Sequence, residues 1–475
     1  MSSTSSNDVL EFGANKSESV SSSTGVWKVC KTNNTDGKRR FDKKFFCPFC
    51  PDNRPIAKLA RHLERKHRRE TDVVELMSLK SKSSQRRLLL QKLTNEGRYI
   101  HNTDVLRKRQ GDLVPCRRPS KDLPVENFVP CEFCLAFYVR GDLWKHQKSC
   151  RLKSVIEQEH RRPPGRCQAR GDLLLPLSTE ASQGLKDEVL SRMNHSELTS
   201  TIFTDDLIMR FGSRLHFRHG HLQHRWQYVR ERLRQMGRLV IATKKLDSNV
   251  RNLTDCISCS AYDKVVEAVK SVCGFDAKTN TYKTPSLALK LGHGLKECTE
   301  IFISESMKLA KSKRRKQDAK EFLKLYQTQW RVDVSSHALR SLYTRKFNKP
   351  MILPLAEDVK VLHSFLENEA RRTHERLLKE ITAKDWQALC QLTLAELILF
   401  NRRRSGEVQR IPVSLFSLLK DKKDCNDDFL LGLSKIEVAL CKLLKHIEIQ
   451  GKKGRKVPIL VTDIVSQHLT MSVDS

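Results

Sequence analysis

FFCPFC (45–50), followed eight residues later by LARHLERKH (59–67), sets Cys47, Cys50, His62 and His67 at the spacing C-x2-C-x11-H-x4-H. A close cysteine pair on a turn and two imidazoles about one helical turn apart supply the four soft or borderline ligands that a tetrahedral zinc site takes. The pattern recurs. CEFC (131–134) and GDLWKHQKSC (141–150) give Cys131, Cys134, His146 and Cys150 as C-x2-C-x11-H-x3-C. In both copies a leucine, Leu59 or Leu143, precedes the first histidine by three residues, where it would pack beneath the metal. A single cysteine pair reads as ordinary buried thiols, but two copies with the same eleven-residue gap predict two zinc ions.

These stretches resemble C2H2 and C2HC zinc fingers, which implies small ββα-type folds over 47–67 and 131–150. The gap is one residue shorter than in the commonest DNA-reading finger. By the resemblance, Lys58 and Arg61 before His62, and Arg140 and Lys145 before His146, are DNA-binding candidates, either reading bases or touching phosphates only. Pro55 is expected at the first helical position, where its missing N–H costs nothing.

Charge points the same way. The 475 residues carry 88 Lys and Arg against 55 Asp and Glu, a formal net charge of +33, and such a balance predicts a polyanionic partner. Residues 26–170 hold 35 of the basic side chains against 16 acidic ones, so the partner is met mainly at that end. There is no run of about 18 apolar residues, and MSSTSSNDVLEFGANKSES lacks a basic segment leading into an apolar one. A secreted or membrane-spanning chain is not expected, nor a membrane partner, and the 15 cysteines read as metal ligands or thiols in a reducing compartment.

Residues 1–25, rich in Ser, Thr, Asn and Gly, are expected to be a disordered tail. Residues 26–160 form the basic region with both fingers. EHRRPPGRCQARG (159–171) combines two prolines, two glycines and four arginines, and marks a linker over 161–172. Beyond it the fold class becomes mostly α, with apolar residues at helical spacing and helices expected at 261–273, 286–310, 318–330, 335–346, 356–380 and 385–400. HIEIQGKKGRKVPIL (446–460) alternates around a Gly/Lys-rich turn and predicts a β-hairpin. CISC, with Cys256 and Cys259, is read as a turn with two ordinary thiols, and the histidines of RHGHLQHRW (218–226) as a basic helical surface. KSKRRK (311–316) reads as a solvated loop or a nuclear import signal, and the expected compartment is the nucleus.

Arg404-Ser405-Gly406-Glu407-Val408 resembles the first arginine box of the tyrosine recombinases, and QGKKGRKVPIL (450–460) resembles their hairpin. NTYKTPSLALKLGHGLKE (280–297) and SSHALRSLYTRKFNKPMILPL (335–355) are similar to the helical part of Crypton-like, transposon-derived recombinases with paired N-terminal fingers. The resemblance implies an all-α core-binding, DNA-clamping domain over 173–370 and a truncated α+β catalytic domain over 371–475. In that family a tyrosine attacks the DNA phosphate while arginines, a histidine and a lysine steady the charge. Arg404 would be the first arginine, Lys452 or its neighbour Lys453 the general acid, and Glu407 a partner of the box. Arg402 and Arg403 are further DNA-contact candidates, or cations complementing a helix C-terminus.

The departures decide the expectation. All seven tyrosines lie at or before Tyr343, only Arg410 and Arg455 follow Arg404, and neither His446 nor His468 has an arginine three residues away. Arg404 and Lys452 are therefore read as vestigial, and the expected function is zinc-dependent binding of double-stranded DNA without strand cleavage. Two alternatives stand beside it. One is a fragment or subunit of an active DNA recombinase, completed by a homo-oligomer or an intact partner. The other is a zinc-finger protein that binds RNA or another protein.

Overall fold

The computed structural model describes residues 27–31, 34–35, 38–39, 44–153, 166–176, 178–308, 313–347, 353–415, 432–451 and 455–474. The expected tail, the first five positions of the expected linker, Lys311, Lys452 and Lys453 lie outside the described residues. The fold is mostly helical, and it divides into two units, 1–347 and 348–475.

The first unit begins with β1 (Trp27–Val29), which pairs in parallel with β2 (Gly111–Leu113). Between them run α1 (Leu59–Lys66), α2 (Thr71–Ser78) and the 25-residue α3 (Ser84–Lys108). Ser83 caps α3, its hydroxyl accepting from the Arg86 N–H at 3.1 Å. This helix occupies the sequence between the two cysteine-histidine motifs and meets both. A Cβ on Gly97 would lie 1.9 Å from the Phe46 carbonyl oxygen, so only glycine lets the first motif's backbone come so close. His101 stacks on Phe46 at 3.8 Å, while the Asn102 amide donates to Val114 O at 3.0 Å and accepts from its N–H at 2.8 Å. β3 (Phe128–Pro130) and β4 (Phe137–Val139) then form an antiparallel hairpin, followed by α4 (Leu143–Lys148).

The expected linker is partly helical. Cys167–Asp172 forms α5 and packs directly on β3, where a Cβ on Gly171 would stand 2.6 Å from Pro130 O. Arg140 and Arg170 explain the difference, because they find Asp172 and Glu132 at 2.7 and 3.3 Å. Two ion pairs to residues distant in sequence, one through Arg170 and one through Asp172, hold the end of the stretch in place.

The remaining helices of this unit are α6 (Glu197–Thr204), α7 (Asp206–His219), α8 (Trp226–Leu246), α9 (Tyr262–Cys273), α10 (Pro285–Lys308), α11 (Lys313–Trp330) and α12 (Ser336–Thr344). They enclose one apolar core containing Leu233, Val265, Leu291, Phe322 and Trp330. Tyr262 meets Phe322 and Trp330 edge-on and donates its hydroxyl to Asp333 at 2.9 Å, so its polar end is satisfied inside that core.

In the second unit α13 (Ala356–Lys379) lies against α14 (Ala383–Asn401) through Ala370, Leu377 and Leu389. The boundary expected at 370 falls inside α13, and the division lies at 347/348. The expected hairpin is present as β5 (Lys445–Gln450) and β6 (Lys456–Val461), with Ile447 opposite Ile459. Asn401 docks it on the end of α14, donating to Leu460 O at 2.9 Å and accepting from Leu460 N–H at 2.7 Å. This unit also holds a short turn of helix, α15 (Ser405–Val408), and the helices α16 (Lys435–Leu443) and α17 (Asp463–Asp474). Among the described residues, no helix is long and apolar enough to cross a membrane.

Candidate metal centres

Each expected quartet is assembled. The donor atoms of Cys47, Cys50, His62 and His67 lie within 4.8 Å of one another, and so do those of Cys131, Cys134, His146 and Cys150. Both groups can hold a metal ion, and no other set of four Cys, His or carboxylate donors is gathered among the described residues.

The local chain explains the first. Phe45 and Ile56 bridge across the turn that carries the two cysteines, with Ile56 N–H donating to Phe45 O at 2.7 Å. Asn53 takes the left-handed φ of 47° that reverses the chain. Pro55 therefore precedes the bridge and not the helix, which starts four residues later at Leu59, contrary to the expected N1 position. His62 projects from α1 and His67 caps its end. Cys50 Sγ approaches His62 Nε2 at 3.3 Å and His67 Nε2 at 3.2 Å. Leu59 and Leu63 are buried beneath, with Val73, Leu76 and Leu93.

The second quartet sits on a tighter frame. Cys131 N–H donates to Ala136 O at 2.9 Å and Leu135 N–H to Cys131 O at 2.9 Å, with Leu135 at φ 58°, so the knuckle closes on itself. Cys134 Sγ lies 3.3 Å from His146 Nε2, and the His146 ring stacks on Tyr138 at 4.0 Å. Leu143 is buried as expected, and all three cysteines are buried with it.

The electrostatics fit a cation. Burial, then His67 and Lys66, holds His62 below the usual imidazole range, which keeps its lone pair available for a metal. Burial and the Cys47 thiol push Cys50 up. In the second group, hydrogen bonds from Cys131 and Cys134 hold Cys150 well below the ordinary thiol range, while contact with Cys131 pushes Cys134 far up. The three crowded thiols oppose one another's ionisation, and a divalent ion at their centre would let all three ionise.

The flanking basic residues separate into two kinds. Lys58 and Arg61 are exposed. Lys145 is exposed too, with Asp142 at 2.9 Å and Trp144 alongside. Arg140 is different. Its guanidinium is mostly buried and bound to Asp172, so it braces α5 in place of reaching outward. Arg402 is the left-handed cap of α14 at φ 49° and is exposed, and Arg403 donates to Pro458 O at 3.3 Å. Arg404 is exposed and pairs with Glu407 at 3.3 Å, so the box partner implied by resemblance is present as a contact.

One group was missed. Cys259 does not pair with Cys256, which is buried and pushed by burial to about 12; its sulfur gathers instead with Asp318 and Glu321. No spacing signal joins residues 59 and more positions apart, and burial, Asp318 and Glu321 raise the Cys259 thiol. No protein-family model, no curated protein and no solved structure matches the chain.

Proposed function

We propose that this chain is a zinc-dependent DNA-binding protein whose two knuckles are structural anchors on a strongly basic surface. The observation that carries the reading is the pair of four-donor sets, each gathered within 4.8 Å, in a chain of net charge +33. Soft thiolate and imidazole ligands in groups of four suit zinc, and a closed site with no open position suits structure over chemistry. The ions supply folding energy, while Lys58, Arg61 and Lys145 supply contacts to phosphate.

Arg404, its Glu407 partner and the β5–β6 hairpin support descent from a transposon recombinase, acting in the nucleus. With every tyrosine at or before Tyr343, binding without strand cleavage is the reading for this chain. The test is a salt series on the full zinc-loaded chain with a fluorescent duplex. The expected log-log slope is about 0.9 per phosphate neutralised, and chelation should abolish binding. A flat salt dependence, or binding that survives metal removal, overturns the reading. A covalent adduct on a nicked suicide duplex would overturn the non-cleaving part alone.

A further inference from the structure

The corner joining α7 to α8 has no place in the reading above. From Asp206 to Glu231 the chain contains no carboxylate between the two, yet it carries five arginines and four histidines. Arg210 and His216 turn inward to Glu180 and Glu188. Arg214, Arg218 and Arg225 do not. All three are exposed, and none makes an ion pair among the described residues. Amid them stands Phe217, 93% exposed, the most exposed large apolar side chain of the described residues. Glu297 and Glu300, which line the same cleft as Arg214, Phe217 and Arg218, are engaged by Arg232 at 2.8 Å and Lys296 at 3.8 Å.

The turn at Gly220 is tightly packed. Gly220 N–H meets His216 O, a Cβ there would collide with the His216 ring and carbonyl at about 2.6 Å, and Trp226 donates its indole N–H to Gly220 O at 2.8 Å. An exposed aromatic ring beside unpaired guanidinium groups is an arrangement that suits nucleic acid: the forks take phosphates and the ring takes a base face. An anionic membrane fits less well. The apolar face of α7, with Leu207, Ile208, Phe211 and Leu215, is spent in the core, and Phe217 with the part-exposed Leu222 and Tyr228 makes no helical stripe to insert.

We infer that this corner is a second nucleic-acid surface, in which Arg214, Arg218 and Arg225 hold phosphates and Phe217 stacks on a base displaced from the helix. It rests on the DNA-binding reading and adds a preference for DNA whose stack is opened.

The test uses the full zinc-loaded chain and two labelled 30-base-pair duplexes, one perfect and one with a two-nucleotide unpaired bulge, with phosphatidylserine vesicles as a third arm. Wild type should prefer the bulged duplex. Phe217→Ala should weaken it about tenfold on the bulge and leave the perfect duplex unchanged, since one base stack is lost. Arg214→Glu with Arg218→Glu should weaken both duplexes. All of these side chains are exposed, so unchanged melting curves verify the fold. Equal affinities of Phe217→Ala and wild type for the bulge, an equal loss on both duplexes, or charge reversal without effect overturns the inference while the DNA reading stands. Vesicle binding abolished by Phe217→Ala with DNA binding intact assigns the corner to membranes and also overturns it. A wild type that binds neither duplex removes both.

Discussion

The two knuckles share a ligand plan and differ in what surrounds it. Around the first, only Cys47 is buried, while Cys50, His62 and His67 are partly open, and α1 is tied to its neighbour by Arg86 donating to Glu64 at 2.6 Å. Around the second, Cys131, Cys134 and Cys150 are all buried, and the frame is closed by Arg140 on Asp172, Arg170 on Glu132, and Gln147 donating to Glu132 at 2.8 Å. Ligand spacing gathers four donors in the same way twice. Burial decides how hard each is to open, because water must reach the donors before a chelator or a proton can.

The largest effect should come from the ligands themselves. Cys134→Ser removes a buried thiol from a four-donor group, and should cost over about 4 kcal/mol with loss of one zinc ion by native mass spectrometry. Cys50→Ser should also lose one ion but unfold less of the chain. In a chelator titration of the wild type, the first knuckle should empty before the second. The reverse order would break the comparison.

Next in size is the brace. Arg140→Ala leaves Asp172 buried with its guanidinium gone, and should destabilise the chain by about 3 kcal/mol in chemical denaturation. Lys145→Ala, one helical turn further on and exposed beside Asp142, should change stability by under about 0.5 kcal/mol while weakening DNA binding. If the two exchange these behaviours, Arg140 faces nucleic acid after all. Gly97→Ala should follow at about 2 kcal/mol, since a methyl group 1.9 Å from Phe46 O forces the first knuckle off α3.

Much of this was legible beforehand, and the reason is local. The eight ligands, Leu59 and Leu143 depend on spacing within twenty residues, and helices such as Tyr262–Cys273 and Ala356–Lys379 follow the 3.6 period of their own apolar residues. The β5–β6 hairpin follows its own alternation. What escaped is what distant partners determine. EHRRPPGRCQARG reads as a linker until its last residues form a helix on β3, with Arg170 paired to Glu132. The Arg140–Asp172 ion pair, and the gathering of Cys259, by sequence an ordinary thiol, with Asp318 and Glu321, likewise join residues tens of positions apart. The unit boundary escaped because α13 buries Ala370 and Leu377 against α14, a choice of partner that its own amphipathic pattern does not specify.

The smallest effect tests the arginine box. Arg404 holds Glu407 at 3.3 Å, but its side chain is 73% exposed and the pair spans one turn at the surface. Solvent screens such a pair, so Arg404→Ala should shift denaturation by under about 0.5 kcal/mol. Glu407 is the more buried partner at 11%, and Glu407→Ala should cost more, because Val408 beside it packs on Leu397 and the hairpin. An arginine kept for stability would show the opposite ranking. An arginine kept for phosphate would leave stability alone and lower DNA affinity a few-fold, with a salt slope shallower by about one phosphate. Measuring both quantities on the same variant therefore separates a structural cation from a contact inherited from a recombinase, and an Arg404→Ala protein unchanged in both would assign the exposed guanidinium no part in either.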